Sequence, residues 1–366
     1  MHNRDKGESN MKKICFVINK LTDGGAERVT SVVANCLFRR KKYEIVVVTF
    51  EKNEDEKEYY LEKGIQRVNM PLSNSNGILG MVKNFINIRK RLLLLNCDCY
   101  IGIDIFANLL VTFLGMTSKC KIIISERNAP RQVELRTINK MLRKILYPFC
   151  DKIVFQTQGA LEDSDFFLRK KGIIIPNPIK ENLPIREAKE NVVCAAGRLV
   201  AQKNYKMLLD AFEQVAKKHP EYRLSIYGQG VMKEELSKLI IERSLEKNVI
   251  LEGYFEDVHN EMKNNEIFVL SSDYEGLPNS LMEAMAMGFP FVSTDCPPGG
   301  PRSLIENGKN GYLVPVNDSE KMAEKINYLI ENKSIREKMG KEAERVRKKY
   351  SAEIIATQWE RVIEGV

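Results

Sequence analysis

Histidine is almost missing from this chain. Its three copies in 366 residues, His2, His219 and His259, sit in polar stretches that read as tail or surface. That scarcity leaves the one close cysteine pair, Cys97 and Cys99, without the second Cys/His pair a zinc site needs, so no metal is expected. The other six cysteines lie in or beside apolar runs and read as buried, reduced thiols. Long apolar runs are missing too: the longest, residues 105–116 between Asp104 and Lys119, falls well short of the roughly 20 residues that cross a bilayer. The opening MHNRDKGESN lacks the apolar core of a signal peptide and reads as a disordered tail, which makes the cytoplasm the expected location. Aromatics are not interleaved with the basic segments and no nucleic-acid recognition motif appears, so no nucleic-acid partner is expected. No internal repeat of solenoid period is visible either.

What the chain does have is an alternation of β-rich runs with amphipathic helical patterns, the signature of parallel sheets covered by helices on both faces. With 43% hydrophobic and 29% charged residues, it is long enough for two such domains. Strands are expected at 14–19, 44–50, 99–103, 121–125, 152–157 and 172–175, then again at 191–197, 223–228, 249–253, 267–272, 291–295 and 311–315. The Pro- and charge-rich stretch 176–191 between the two series has no apolar period and reads as the interdomain linker. This divides the chain into a domain over 11–175, a domain over 192–350, and a closing helix over 351–366 that packs back on the first domain. Charge is divided unequally: residues 1–180 hold 31 Lys+Arg against 19 Asp+Glu, whereas 181–366 hold 26 against 30. The basic half is suited to a polyanion, for which a phospholipid surface, a pyrophosphate-linked acceptor and a nucleic acid are all candidates on charge alone.

Three segments carry chemistry. The first strand runs into Gly24-Gly25-Ala26-Glu27-Arg28, where paired glycines at a helix start let an anion approach the backbone. The third glycine of a dinucleotide fingerprint is missing, which counts against a dehydrogenase. In the second series, Gly197-Arg198 and Lys203-Asn204 follow a buried strand, placing two cations at the carboxyl edge of the sheet. Together they could hold a diphosphate without a metal. Finally Glu275-Gly276-Leu277-Pro278-Asn279-Ser280 leads into a helix bearing Glu283 and the small-residue face Ala284, Ala286, Gly288. One carboxylate would lie in a loop near a sugar and the other where ribose hydroxyls could donate to it, with the N–H groups of 277–280 free for phosphate or sugar.

This arrangement, with Tyr227-Gly228-Gln229-Gly230 and the Ala284-Met-Ala-x-Gly288-x-Pro290 sequel, resembles the retaining glycosyltransferases of family 4, and the GGAER opening is similar to bacterial members that build lipid-linked or surface polysaccharides. The resemblance implies a GT-B fold of two Rossmann-like, doubly wound α/β domains facing across a cleft. It also implies retention of configuration and no obligatory metal or other cofactor. By the same resemblance Arg198 and Lys203 bind the donor diphosphate, Gly24, Gly25 and Gly228 face the phosphates, and Glu283 binds ribose. Glu275 with the backbone of Gly276, Leu277, Pro278, Asn279 and Ser280 positions the sugar. The family often has Glu-His after the strand at 121–125, whereas this chain reads Glu126-Arg127-Asn128, so Glu126 and Arg127 are carried as site residues and Arg127 or Asn128 as the substitute for the histidine. The implied partners are a nucleotide-sugar donor, uridine-based by family habit, and a glycan or polyprenyl-diphosphate-linked acceptor. An epimerase or hydrolase on the same fold and a catalytically silent subunit are the alternatives. Two basic amphipathic segments, 78–95 with Arg89-Lys90-Arg91 and 135–147 with Arg136, Lys140, Arg143 and Lys144, suggest docking of the first domain on the inner, anionic face of a membrane.

Overall fold

Strands that are apolar on both faces are stable only inside parallel sheets sandwiched by helices, and the chain builds two of these. The computed structural model describes residues 11–22, 24–51, 58–72, 77–127 and 137–365. The tail 1–10, Asn128, Leu135 and Arg136 lie outside the described residues. The first sheet comprises β1 (Lys12–Val17), β2 (Tyr43–Thr49), β3 (Gln66–Asn69), β4 (Cys99–Gly102), β5 (Lys121–Glu126), β6 (Lys152–Phe155) and β7 (Gly172–Ile174). Its order is β3-β2-β1-β4-β5-β6-β7, all parallel. The second comprises β8 (Val192–Ala196), β9 (Arg223–Tyr227), β10 (Val249–Gly253), β11 (Ile267–Leu270), β12 (Phe291–Thr294) and β13 (Tyr312–Val314), in the order β10-β9-β8-β11-β12-β13, again all parallel.

In each sheet the opening strand, β1 or β8, is central and the winding direction reverses beside it. Such reversal points leave a crevice at the carboxyl edges of the strands. Register Ile14↔Ile45 and Ile14↔Cys99 puts Ile14, Phe16, Ile45 and Val47 on one face of the first sheet and Cys15, Val17, Val46 and Val48 on the other, all buried. The strand expected over 152–157 stops at Phe155 because Thr157 leaves the ladder to cap the helix Gln158–Asp163, its Oγ1 accepting from Ala160 N at 3.1 Å. β3 was not expected; it is a short edge strand with no fully buried residue and hence no apolar alternation to read.

The two halves share one apolar core, in which Ile18, Leu21 and Val29 join Leu281, Met285, Tyr350 and Trp359. The helix Ala352–Glu364 lies on the first half against α1 (Gly25–Arg39): Arg40 pairs with Glu360, Tyr43 Oη donates to Glu364 at 2.8 Å, and Lys121 Nζ donates to the Val362 carbonyl at 2.7 Å. The stretch 176–191 is packed rather than loose, with Ile179 and Leu183 buried and Ile179 N donating to the Tyr350 carbonyl at 2.9 Å.

Two further helices of the first half are basic, α2 (Gly77–Leu94) and, after α3 (Ile105–Gly115), α4 (Thr137–Leu146). The apolar stripe of α4 splits. Leu142 and Leu146 turn inward, while Met141 and Ile145 are exposed, as are Phe149 in the turn that follows and Phe166 and Phe167 in the short helix Phe166–Arg169. Among its cations Lys140 and Lys144 are exposed, but Arg143 is not free: it pairs with buried Glu126.

Candidate active site

The cleft is lined where the carboxyl edges of β1 and β5 approach those of β8 and β11. From the first half, α1 begins at Gly24, whose extended backbone provides no side-chain cap. From the second, the helix Asn279–Ala286 begins at Pro278, also without one. The two starts touch: a methyl group on Gly25 would fall 2.4 Å from Asn279 Nδ2. A helix N-terminus favours an anion; at the α1 start the Glu27 carboxyl already accepts from its own backbone N–H, whereas no side chain caps the Asn279 start.

The β8 and β9 ends form the floor. Gly228, at φ +144°, lies so close that a Cβ there would stand 2.0 Å from the Gly197 carbonyl oxygen. Arg198 is exposed beside it. Lys203 leans back instead, its Nζ 2.6 Å from Glu275 Oε1, which also accepts from Ser272 Oγ at 2.8 Å. Glu275 is buried, with its N–H on the Pro297 carbonyl at 3.0 Å. Leu277 is buried in the shared core, and Ser280 sits half-buried on the first turn of its helix. The remaining motif carboxylate, Glu283, receives Arg28 Nη2 at 3.0 Å and His259 Nε2 at 3.0 Å. Burial acts to raise its pKa, but the Arg28 guanidinium, with His259 and Lys180, outweighs this and holds the carboxyl below its ordinary range.

The structure separates the two neighbours at the end of β5. Glu126 points into the first half, accepting from Tyr147 Oη at 2.6 Å and Arg143 Nη2 at 3.0 Å, and so does not face the cleft. Arg127 does. Its Nη1 donates to Asn177 Oδ1 at 2.8 Å, its guanidinium lies 6.0 Å from the Trp359 ring, and its Nε is buried without a partner. Burial lowers its pKa to about 10, opposed by Glu27 nearby. The Glu27 carboxyl is raised, by burial first and by Asp104 after it.

Asn177 and Gln156 tie the walls together. Gln156 Nε2 donates to Asn177 Oδ1 at 2.7 Å while its Oε1 accepts from Leu277 N at 3.1 Å; Asn177 Nδ2 donates to Asn279 Oδ1 at 2.8 Å. Gly276 fits under this pair, since a Cβ there would lie 2.8 Å from both the Arg127 carbonyl oxygen and Gln156 Oε1.

Sequence reasoning missed four residues here: Arg28, Gln156, Asn177 and His259. Placing His259 on the surface is corrected: it is 7% exposed and bonded to Glu283. Its helix, Val258–Met262, is a single turn in a polar stretch, where nothing but the fold reveals which side faces inward. Arg28 stood within the GGAER run, one helical turn beyond the glycines, and that spacing was the available signal.

Residues 179–346 match the family described as "Glycosyl transferases group 1". Two Campylobacter jejuni relatives are similar over nearly their full lengths. An N-acetylgalactosamine-N,N'-diacetylbacillosaminyl-diphospho-undecaprenol 4-alpha-N-acetylgalactosaminyltransferase is 29% identical over 89% of this chain and 92% of its own. An alpha-1,4-N-acetyl-D-galactosaminyltransferase acting on a GalNAc-containing diNAcBac-PP-undecaprenol is 27% identical over 97% and 99%. Among solved structures, Anabaena HepE in complex with UDP and glucose superposes with a TM-score of 0.80 at 18% identity, covering 97% of this chain and 100% of that one. With two parallel sheets meeting at their carboxyl edges and this superposition, the chain has the GT-B fold, and residues 179–346 of it match the glycosyltransferase group 1 family.

Proposed function

We propose that the protein is a retaining, metal-independent transferase that takes a sugar from a UDP-linked donor and joins it to a hydroxyl of a glycan carried on a polyprenyl diphosphate. The observation that carries this reading is the cleft itself. The second wall offers the Asn279 helix start, which has no side-chain cap, with the cations Arg198 and Lys203 and the carboxylates Glu275 and Glu283; the glycine start of α1, which meets Asn279, faces it from the first. The diphosphate binds at the helix starts and Arg198, and Lys203 shares its three N–H groups between phosphate and Glu275. Glu275, oriented by Lys203 and Ser272, holds the transferred sugar, and Glu283 accepts from ribose. Cations fixed before the reaction stabilise the departing diphosphate without reorganisation, the role a metal would otherwise take. Arg127, bonded to no carboxylate among the described residues, adds charge from the opposite wall in the place of the family histidine. The undecaprenyl-linked substrates in the names of the Campylobacter relatives and the UDP bound by HepE support the choice of donor and acceptor class.

The reading includes docking of the first half on an anionic membrane. Met141, Ile145, Phe149, Phe166 and Phe167 form an exposed apolar series beside Lys140 and Lys144, matched to acyl chains below and anionic headgroups around them. No helix among the described residues is long and apolar enough to cross a membrane.

A thermal-shift panel of nucleoside diphosphates tests the donor. UDP raises the melting temperature in proportion to the logarithm of its concentration, since only the native cleft binds it. A panel in which no nucleoside diphosphate stabilises the protein contradicts the reading.

A further inference from the structure

Glu283 is held from two directions. Its Oε1 meets Arg28 Nη2 from α1 of the first half, and its Oε2 meets His259 Nε2 from the second, each at 3.0 Å. Arg28 is itself anchored to the connecting stretch, Nη1 donating to the Pro178 carbonyl at 3.4 Å. Behind His259, Nδ1 stands 3.4 Å from Lys180 Nζ and 3.7 Å from Asp257 Oδ1. An ammonium can only donate, so Nδ1 is the accepting nitrogen and Nε2 carries the proton given to Glu283. The histidine tautomer is thus fixed by Lys180, and the carboxylate by the histidine and Arg28.

Each carboxylate oxygen has two lone pairs, and each has spent one. One acceptor position per oxygen remains, side by side, which is the arrangement two vicinal hydroxyls require. We propose that Arg28 and His259 are positioning residues for ribose recognition: they fix Glu283 so that its free lone pairs meet the 2′ and 3′ hydroxyls of the nucleoside. The proposal rests on Glu283 being the ribose acceptor. Because Arg28 belongs to the first half, ribose recognition is complete only when both walls of the cleft are together. A carboxylate at 12% exposure without these partners would be both costly and free to rotate.

Calorimetry with UDP and with 2′-deoxy-UDP tests this on the wild type, Arg28→Ala, Arg28→Lys, His259→Ala, His259→Gln and Glu283→Gln. The wild type should prefer UDP by about tenfold, the usual cost of an unmet hydrogen bond to a charged group. In Arg28→Ala and His259→Ala, UDP should weaken by about tenfold and 2′-deoxy-UDP little, so that the preference falls toward one. His259→Gln keeps an N–H donor and should recover part of the preference, as should Arg28→Lys, and both remain informative if an alanine variant fails to fold. Unchanged preference in the Arg28 and His259 variants, with Glu283→Gln having lost it, overturns the positioning role. Full preference in Glu283→Gln overturns the ribose assignment and the proposal with it.

Discussion

The two walls of the cleft carry their chemistry in different ways. The second half concentrates it in two contiguous runs, 197–204 and 273–290, where a strand end, a turn and a helix start follow one another in sequence. The first half contributes single residues from the ends of separate elements: Gly24, Gly25 and Arg28 after β1, Arg127 after β5, Gln156 after β6 and Asn177 after β7. Most of the second wall is therefore set by local structure, with Gly228 and His259 added from outside the two runs, while the first wall exists only once its separate strand ends are brought together. A donor site built of contiguous motif can be kept constant while the opposite wall, assembled residue by residue, is altered for different acceptors.

The largest effect expected from breaking this asymmetry is on turnover. Glu275→Gln should lower kcat by about 100-fold or more, the usual loss when a group acting at the reacting centre is removed, with UDP affinity nearly unchanged. Glu283→Gln should do the reverse, weakening UDP with a smaller loss of kcat. Steady-state kinetics with calorimetry on both variants distinguishes them; equal effects on kcat and affinity in both would erase the division of roles.

Next in size is Arg198→Ala. Exposed and without an ion pair to lose among the described residues, it should weaken UDP by about 1.5–3 kcal/mol with the melting temperature of the free protein unchanged. Lys203→Ala should cost stability as well, because it leaves Glu275 buried without its cation. A melting temperature that falls equally in both variants would contradict this contrast. The Arg127→Ala variant carries the same question to the first wall: it should lower kcat while leaving UDP affinity in place.

The smallest effect belongs to the outer face of the first wall. Changing Lys140 and Lys144 to Glu should reduce sedimentation with anionic liposomes by about 1 kcal/mol per cation removed, more at low salt than at high. Arg143 is left in place because its loss would strip buried Glu126 of its partner. Binding that ignores lipid charge and these substitutions would remove the membrane from the account.

Strands were legible where burial on both faces leaves an unbroken apolar run, as in β5 and β11, and illegible in β3, whose residues are half-buried at an edge. The Glu275 and Glu283 run was legible because one turn and one helix place both residues. Which of Glu126 and Arg127 faces the cleft was not. The answer depends on Arg143 and Tyr147, about twenty positions later, supplying the internal partners that turn Glu126 inward. His259 was hidden for a related reason: its partners Glu283 and Lys180 are distant residues that the local polar sequence does not announce.

Transfer from a UDP-sugar to an acceptor hydroxyl is tested most directly by UDP release from a panel of UDP-sugars with and without a polyprenyl-diphosphate-linked glycan. The account predicts that one donor yields UDP at a rate that rises with acceptor and persists in a metal chelator, with the new linkage keeping the anomeric configuration of the donor. UDP release at the same rate without acceptor, or its abolition by the chelator and rescue by magnesium, would contradict it.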